Sequence, residues 1–262
     1  MARYGMVIDL HKCTGCGACG LGCKTENNTD DRADGQTYNW ADYRSVVSGT
    51  FPNVKFEMLP VLCNHCTDAP CVKACPVTPK AMHKNAKGMT IHNQERCIGC
   101  RACQHACPYS QDEVAEGSND YSVISFNDFG KTIHAAYQDS TELVKGCTTS
   151  GTDIAKKAGF TPPHATSYDH PDYKNIRTDG VVEKCILCDH RIENGMKPYC
   201  TDVCPSSARV AGDLDDPNSD AAKLVKQYGG RRLKNNKGEF LAANEKGVGP
   251  NVYYIRAYSA RK

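Results

Sequence analysis

No stretch of this 262-residue chain approaches the roughly 18 consecutive apolar residues that cross a bilayer. Neither charge dominates: 32 Lys and Arg against 30 Asp and Glu leave +2, too little asymmetry for a nucleic-acid footprint. There is one tryptophan, and the 40% hydrophobic content includes 17 cysteines, so the aliphatic core is modest. No nucleophile–base pair, phosphate-binding loop or open-position metal triad is visible, so no catalytic residue is assigned. Only twelve residues precede Cys13, too few for the charged and apolar regions of a signal peptide. The expectation is a chain that neither crosses a membrane nor exports itself.

Cysteine is what the chain has in excess. Sixteen of the 17 fall into four clusters. The first is Cys13, Cys16, Cys19 and Cys23. Cys63, Cys66, Cys71 and Cys75 form the second, and Cys97, Cys100, Cys103 and Cys107 the third. The fourth is Cys185, Cys188, Cys200 and Cys204, with eleven residues between its middle pair. Prolines 76, 108 and 205 follow the last cysteine of three of them. The run C-x2-C-x2-C-x3-C-P is the bacterial ferredoxin signature, in which three thiolates of a loop hold one [4Fe–4S] cube and the fourth reaches its neighbour. On that rule the fourth cysteine sits on a helix opened by the Cys-Pro dipeptide. Disulfides fit poorly, because the cysteine count is odd and no secretion signal is visible. A zinc-dependent binding module is the other alternative, but zinc sites need neither the fuller spacing nor the proline. Four motifs imply four [4Fe–4S] clusters and a chain that moves electrons.

The segments around the motifs repeat as well. Residues 6–10, 89–92, 121–126 and 208–214 read as short strands, with 81–83 pairing to 89–92 across a turn. The fold class is α+β, with two ferredoxin-like double-cubane units. The short hop from Cys75 to Cys97 pairs motifs II and III in residues 51–126; motifs I and IV pair across the chain in residues 1–50 plus 180–262. Exchange of fourth cysteines, by the ferredoxin rule, gives Cys13, Cys16 and Cys19 with Cys204, and Cys185, Cys188 and Cys200 with Cys23. It likewise gives Cys63, Cys66 and Cys71 with Cys107, and Cys97, Cys100 and Cys103 with Cys75. Residues 127–179 show no sustained period and read as an irregular, partner-docking insertion. Ala221, Leu224, Val225 and Tyr228 mark an amphipathic helix between Ser219 and Gly229, and residues 251–258 a last strand.

Other residues carry weaker signals. Cys147 lies outside every motif and reads as a plain thiol. His65 and His105 lie inside cysteine loops, where a hydrogen bond to a cluster is open to them but ligation is not needed. Lys12, Lys24, Arg96, Arg101 and Lys184 flank the motifs, where positive charge would raise a cluster's potential. Trp40 reads as packing. Asp213, Asp215 and Asp216 read as an acidic turn before Pro217.

The ordered segments CTGCGACGLGCKTEN, CNHCTDAPCVKACP, RCIGCRACQHACPYS and KCILCDHR…CTDVCPSSARVAGDLDDP closely resemble the four-cluster electron-transfer subunit of dimethyl sulfoxide reductase-family molybdopterin oxidoreductases. GMVIDLHKC, GTFPNVKF and GPNVYYIRAY look most like the small subunit of respiratory arsenate reductases. The resemblance implies a heterodimer with a larger catalytic subunit holding molybdenum or tungsten on a pterin. Single electrons would pass between that subunit and a quinone-linked membrane anchor or a soluble cytochrome, in anaerobic respiration. It also implies cluster loading in the cytoplasm, with a periplasmic destination reached by co-export. The relay subunit of a formate dehydrogenase or hydrogenase is the alternative within the same class. The chain departs from the pattern in the insertion at residues 111–121 and in residues 127–184, where partner choice would be written.

Overall fold

A computed structural model describes residues 2–30, 32–115, 118, 120–130, 139–142, 144–158, 178–233 and 248–257. Strand β1 (Tyr4–Asp9) runs through the first cysteine loop into helix α1 (Ala18–Asn27), and a long hairpin of β2 (Ala41–Ser48) and β3 (Lys55–Leu62) follows. The second loop leads to α2 (Pro70–Ala74) and a small hairpin, β4 (Met82–Lys84) and β5 (Thr90–His92). The third leads to α3 (Ala102–Ala106) and β6 (Ile124–Phe126). After α4 (Gly151–Ala158) come β7 (Val182–Lys184), the fourth loop with α5 (Asp189–Glu193) and α6 (Tyr199–Asp202), and β8 (Arg209–Asp213). Helix α7 (Asp220–Tyr228) and β9 (Val252–Ile255) complete the described elements.

The sheets are small, of two or three strands each. β1 is the centre of a three-stranded sheet, antiparallel to β8 (Val7 opposite Val210) and parallel to β9 (Val7 opposite Tyr253). β4 pairs β5, and β6 pairs β7 with Ser125 opposite Glu183. Between these ribbons lies one core, in which Met6, Ile8, Leu62, Met89, Ile91, Ile124 and Ile186 are buried among the motif cysteines. Helix α7 docks on the other side of the sheet through Ala221. Ser219 caps it by accepting from the Ala222 N–H (3.3 Å), and Gly229 at φ 64° ends it.

One expectation is reversed. The Cys-Pro dipeptides end helices rather than open them: Cys75 and Cys107 are C-caps with ψ of 119° and 117°. A proline pushes the residue before it out of the helical region. Thus α2, α3 and α6 carry the third cysteine of their motifs, and only α1, where Lys24 stands in place of proline, continues through the fourth, Cys23. The segment expected to be irregular contains α4, although residues 131–138, 143 and 159–177 of it lie outside the described residues, as does Tyr258 of the last strand. In the insertion at residues 111–121, Val114 is buried and donates its N–H to the Gly35 carbonyl (2.7 Å). Among the described residues no helix is long and apolar enough to cross a membrane.

Candidate metal centres

All four cysteine loops turn at the same place. The second residue after the first cysteine, Gly15, His65, Gly99 or Leu187, is left-handed with φ of 71°, 43°, 69° and 55°. At Gly99 a side chain is also excluded by packing, since a Cβ would sit 2.2 Å from the Gly180 carbonyl oxygen. The first three loops each wrap a cavity. Cys13, Cys16 and Cys19 line one together with Cys204 and Pro205. Cys63, Cys66 and Cys71 share another with Cys107. A third is lined by Cys97, Cys100, Cys103 and Cys75. In the last set Cys23 lies beside Cys188, Cys185 and Cys200, and the Asn27 amide reaches both the Cys23 sulfur (3.5 Å) and the Cys188 sulfur (3.7 Å). The structure therefore gathers sixteen thiols into four groups of four. Cys147 is exposed and outside all of them.

The groups differ in burial. Cys16 and Cys100 are exposed, whereas Cys63, Cys66, Cys71, Cys185, Cys188, Cys200 and Cys23 are buried. Neighbouring groups feel each other through Cys19 and Cys200, Cys63 and Cys185, and Cys71 and Cys103. The sets thus stand in the order first, fourth, second, third, with the exposed ones at the ends. Burial, then nearby thiols, pushes Cys103 and Cys185 up to about 12. Burial raises Cys107 to about 11 against a hydrogen bond from Ser110. Such thiols keep their protons until a metal displaces them. Cys204 goes the other way, because hydrogen bonds, the Ala208 N–H (3.2 Å) among them, outweigh its partial burial.

Of the five flanking cations, Lys184 alone forms the wall of a thiol cavity without a partner ring to hold it aside. It is buried in the second group's wall, and its ammonium donates to the carbonyls of Thr90 (2.5 Å) and Cys185 (2.7 Å). Arg101 lies in the third group's lining but stacks on Phe126, its guanidinium 5.2 Å from the ring centre. Lys12 and Arg96 are exposed, and Lys24 donates to the Asp30 carbonyl (2.5 Å). Sequence reasoning missed two further cations. Lys84 donates to the carbonyls of Cys66 and Gly88, and Arg209 is buried beside Cys200 and Cys19. Burial works against the Arg209 charge, but those two cysteines outweigh it. Also missed was a clasp between α1 and α5, in which His190 meets Glu26 (2.8 Å) and Arg191 bridges Glu26 (3.2 Å) to Asp202 (2.5 Å).

His105 faces solvent and pairs with Asp112 (2.7 Å). His65 is buried. Burial, then Lys184 and Lys84, holds it well below its ordinary value, so it is neutral. Its Nδ1 accepts from the Thr90 N–H (3.2 Å), which leaves the proton on Nε2, an atom with no partner among the described residues. A buried N–H without an acceptor, set in a loop between two buried thiols, fits a sulfide-bearing cluster better than a bare ion. Trp40 packs inside and donates to Glu183 (3.2 Å). The acidic turn is satisfied locally: Asp213 accepts from the Arg3 and Asp215 N–H groups (both 3.0 Å), and Asp215 pairs with Arg3 (2.8 Å).

A sequence model described as the 4Fe-4S dicluster domain matches residues 54–123 and 134–214. The chain is 44% identical to the arsenate respiratory reductase iron–sulfur subunit of Shewanella sp. (strain ANA-3), over 99% of this chain and 98% of that one. A selenate reductase subunit of Mesobacillus selenatarsenatis is 31% identical over 97% of this chain and 72% of its own length. A tetrathionate reductase subunit of Salmonella typhimurium is 29% identical over 97% and 72%. Fold, thiol groups and relatives define a dicluster iron–sulfur protein. More narrowly, the chain belongs to the iron–sulfur electron-transfer subunits of dimethyl sulfoxide reductase-family molybdopterin oxidoreductases. It relays electrons within a reductase complex and is not the catalytic chain.

Proposed function

We propose that this chain holds four [4Fe–4S] clusters in a single series. The ligand sets are Cys13, Cys16, Cys19 and Cys204; then Cys185, Cys188, Cys200 and Cys23; then Cys63, Cys66, Cys71 and Cys107; then Cys97, Cys100, Cys103 and Cys75. Bound there, the clusters supply one-electron redox chemistry at potentials set by charge, hydrogen bonding and burial. The observation that carries the reading is the exchange of fourth cysteines between motifs, together with burial that is deepest in the two middle sets. The protein shields the middle of the series from water and leaves one exposed cysteine edge at each end for a partner. One partner is the larger molybdopterin-binding catalytic subunit; the other is a quinone-linked membrane anchor or a soluble carrier. The 127–179 segment offers a docking surface as well, with Val144 and Ile154 exposed in its described part. Iron is loaded in the cytoplasm, and a periplasmic position follows from export together with the folded catalytic chain.

Elemental analysis of anaerobically purified protein tests this. About sixteen irons per chain are expected from four irons at each of four motifs. Zinc in place of iron would overturn the reading.

A further inference from the structure

The β2–β3 hairpin is paired to no other strand among the described residues, and its outer half is apolar and exposed on a scale a lone surface residue does not explain. Phe51 at the turn is 91% exposed, Val47 65% and Phe56 56%. Side chains alternate across a strand, so the register divides the hairpin into two faces. On one face Tyr43 stands opposite Pro60, Ser45 opposite Met58 and Val47 opposite Phe56. That face carries no charge. All four charges of the two strands, Asp42, Arg44, Lys55 and Glu57, fall on the other face. They are partnered there: Lys55 with Glu57 (2.6 Å), Arg44 with Asp120 (4.0 Å), and Asp42 with the Asn39 amide (3.0 Å).

The charge-free face leads to a particular place. At its base Tyr43, Met58 and Pro60 line the cavity of Cys13, Cys16, Cys19 and Cys204. One uncharged stripe therefore runs from the hairpin turn to the rim of the end site whose Cys16 is exposed. We infer that this face is the docking arm for the molybdopterin-binding catalytic subunit and seats that subunit's redox centre against the Cys16 edge. This rests on the relay reading above. An uncharged apolar stripe suits a permanent subunit, since lasting interfaces are the more hydrophobic ones. The opposite end, where Arg96 stands near exposed Cys100 and Ile98, is left for the second partner. A second copy of this chain is a poorer occupant, because pairing through the stripe would cover the Cys16 edge of both copies and close the relay at that end.

The test starts from the complex isolated from its native cells with the tagged wild-type chain, in which the molybdopterin-binding chain is identified by mass and bound molybdenum or tungsten. A photo-crosslinking phenylalanine analogue at position 56 should attach to peptides of that chain, and the same analogue at exposed Lys223 should not. The double variant Val47→Asp, Phe56→Asp should lower the recovered catalytic chain at least tenfold, with iron per chain unchanged. Crosslinks within a second copy of this chain, or undiminished recovery of the catalytic chain, would overturn the docking arm. If the wild type itself recovers no molybdopterin-binding chain, the partnership on which the inference rests fails instead.

Discussion

Replacing Lys184 by methionine removes one positive charge from the wall of the second thiol set while keeping most of the side-chain volume. A cluster with four thiolates is an anion, and reduction adds one further negative charge, so an ammonium-bearing side chain at this wall favours the reduced form. With that ammonium taken roughly 6 Å from the cavity centre and an effective dielectric near 20, the Coulomb relation gives about 3 kcal/mol. A tenfold change in a one-electron equilibrium corresponds to about 59 mV, so the midpoint potential of that set should fall by about 60–120 mV once relaxation is allowed for. The fourth set, whose Cys185 carbonyl accepts from the same ammonium, should fall by less, and the two end sets should hardly move. Lys184→Met also strips the Thr90 and Cys185 carbonyls of a donor, about 1–3 kcal/mol of stability, but that loss is common to both redox states. Lys184→Arg keeps the charge and should hold the potential near wild type. Redox titration followed by electron paramagnetic resonance on the anaerobic protein reads all four couples. A fall under about 20 mV, or equal falls at end and middle sets, would refute the electrostatic argument.

Cys23→Ser should damage the set of Cys185, Cys188 and Cys200 and spare that of Cys13, Cys16 and Cys19; a spectroscopic loss confined to the first motif's own set would show that the exchange is wrong. Gly99→Ala forces a left-handed alanine against the Gly180 carbonyl and should cost at least about 2 kcal/mol, read as a lowered melting temperature with the third set lost first. Arg256→Met should lower the melting temperature at neutral pH, because Asp9 loses its cationic partner. Burial raises the Asp9 carboxyl, but Arg256 outweighs it and holds it below its ordinary value. That stabilisation is present above the unfolded value of about 4 and lost as pH falls through the lower folded one. Wild-type and variant melting curves should therefore converge in acid.

The sites were legible because cysteine spacing is a local property: a loop that must place three thiols around one cavity fixes its own turn, whatever surrounds it. Strands beside the loops were legible for the same reason, as was α7, whose cap, stripe and stop all lie within eleven consecutive residues from Ser219 to Gly229. The Cys-Pro dipeptides misled because proline is at home in a first helical turn, yet its stronger effect here is on the cysteine before it. Charge could not be placed from sequence. Lys12 and Lys184 each stand one residue before a motif, yet Lys12 is exposed and Lys184 buried, because Lys184 is the last residue of β7, paired with Ile124 of β6, whereas Lys12 lies in the turn after β1. The Glu26–His190 contact joins residues 164 positions apart, beyond the reach of any local pattern. The hairpin escaped notice because its apolar residues lie on both faces and lack the alternation that marks a half-buried strand.

The placement of β1 bears on how the protein is made. Its partners β8 and β9 come from the far end of the described chain, and the first and fourth thiol sets each draw on both ends, through Cys204 and Cys23 respectively. The second and third sets draw all their cysteines from residues 63–107, although Lys184 and Val182 complete their walls later. During synthesis, which releases the chain from its N-terminus, all eight cysteines of the middle unit can therefore be present on the ribosome while Cys13, Cys16, Cys19 and Cys23 wait, unmatched, for the fourth motif. Iron delivered early would find two sites with a full set of cysteines and two with only part of theirs, so maturation has an order written into the topology. The site at the docking arm is among the last to close, which ties readiness for a partner to completion of the relay.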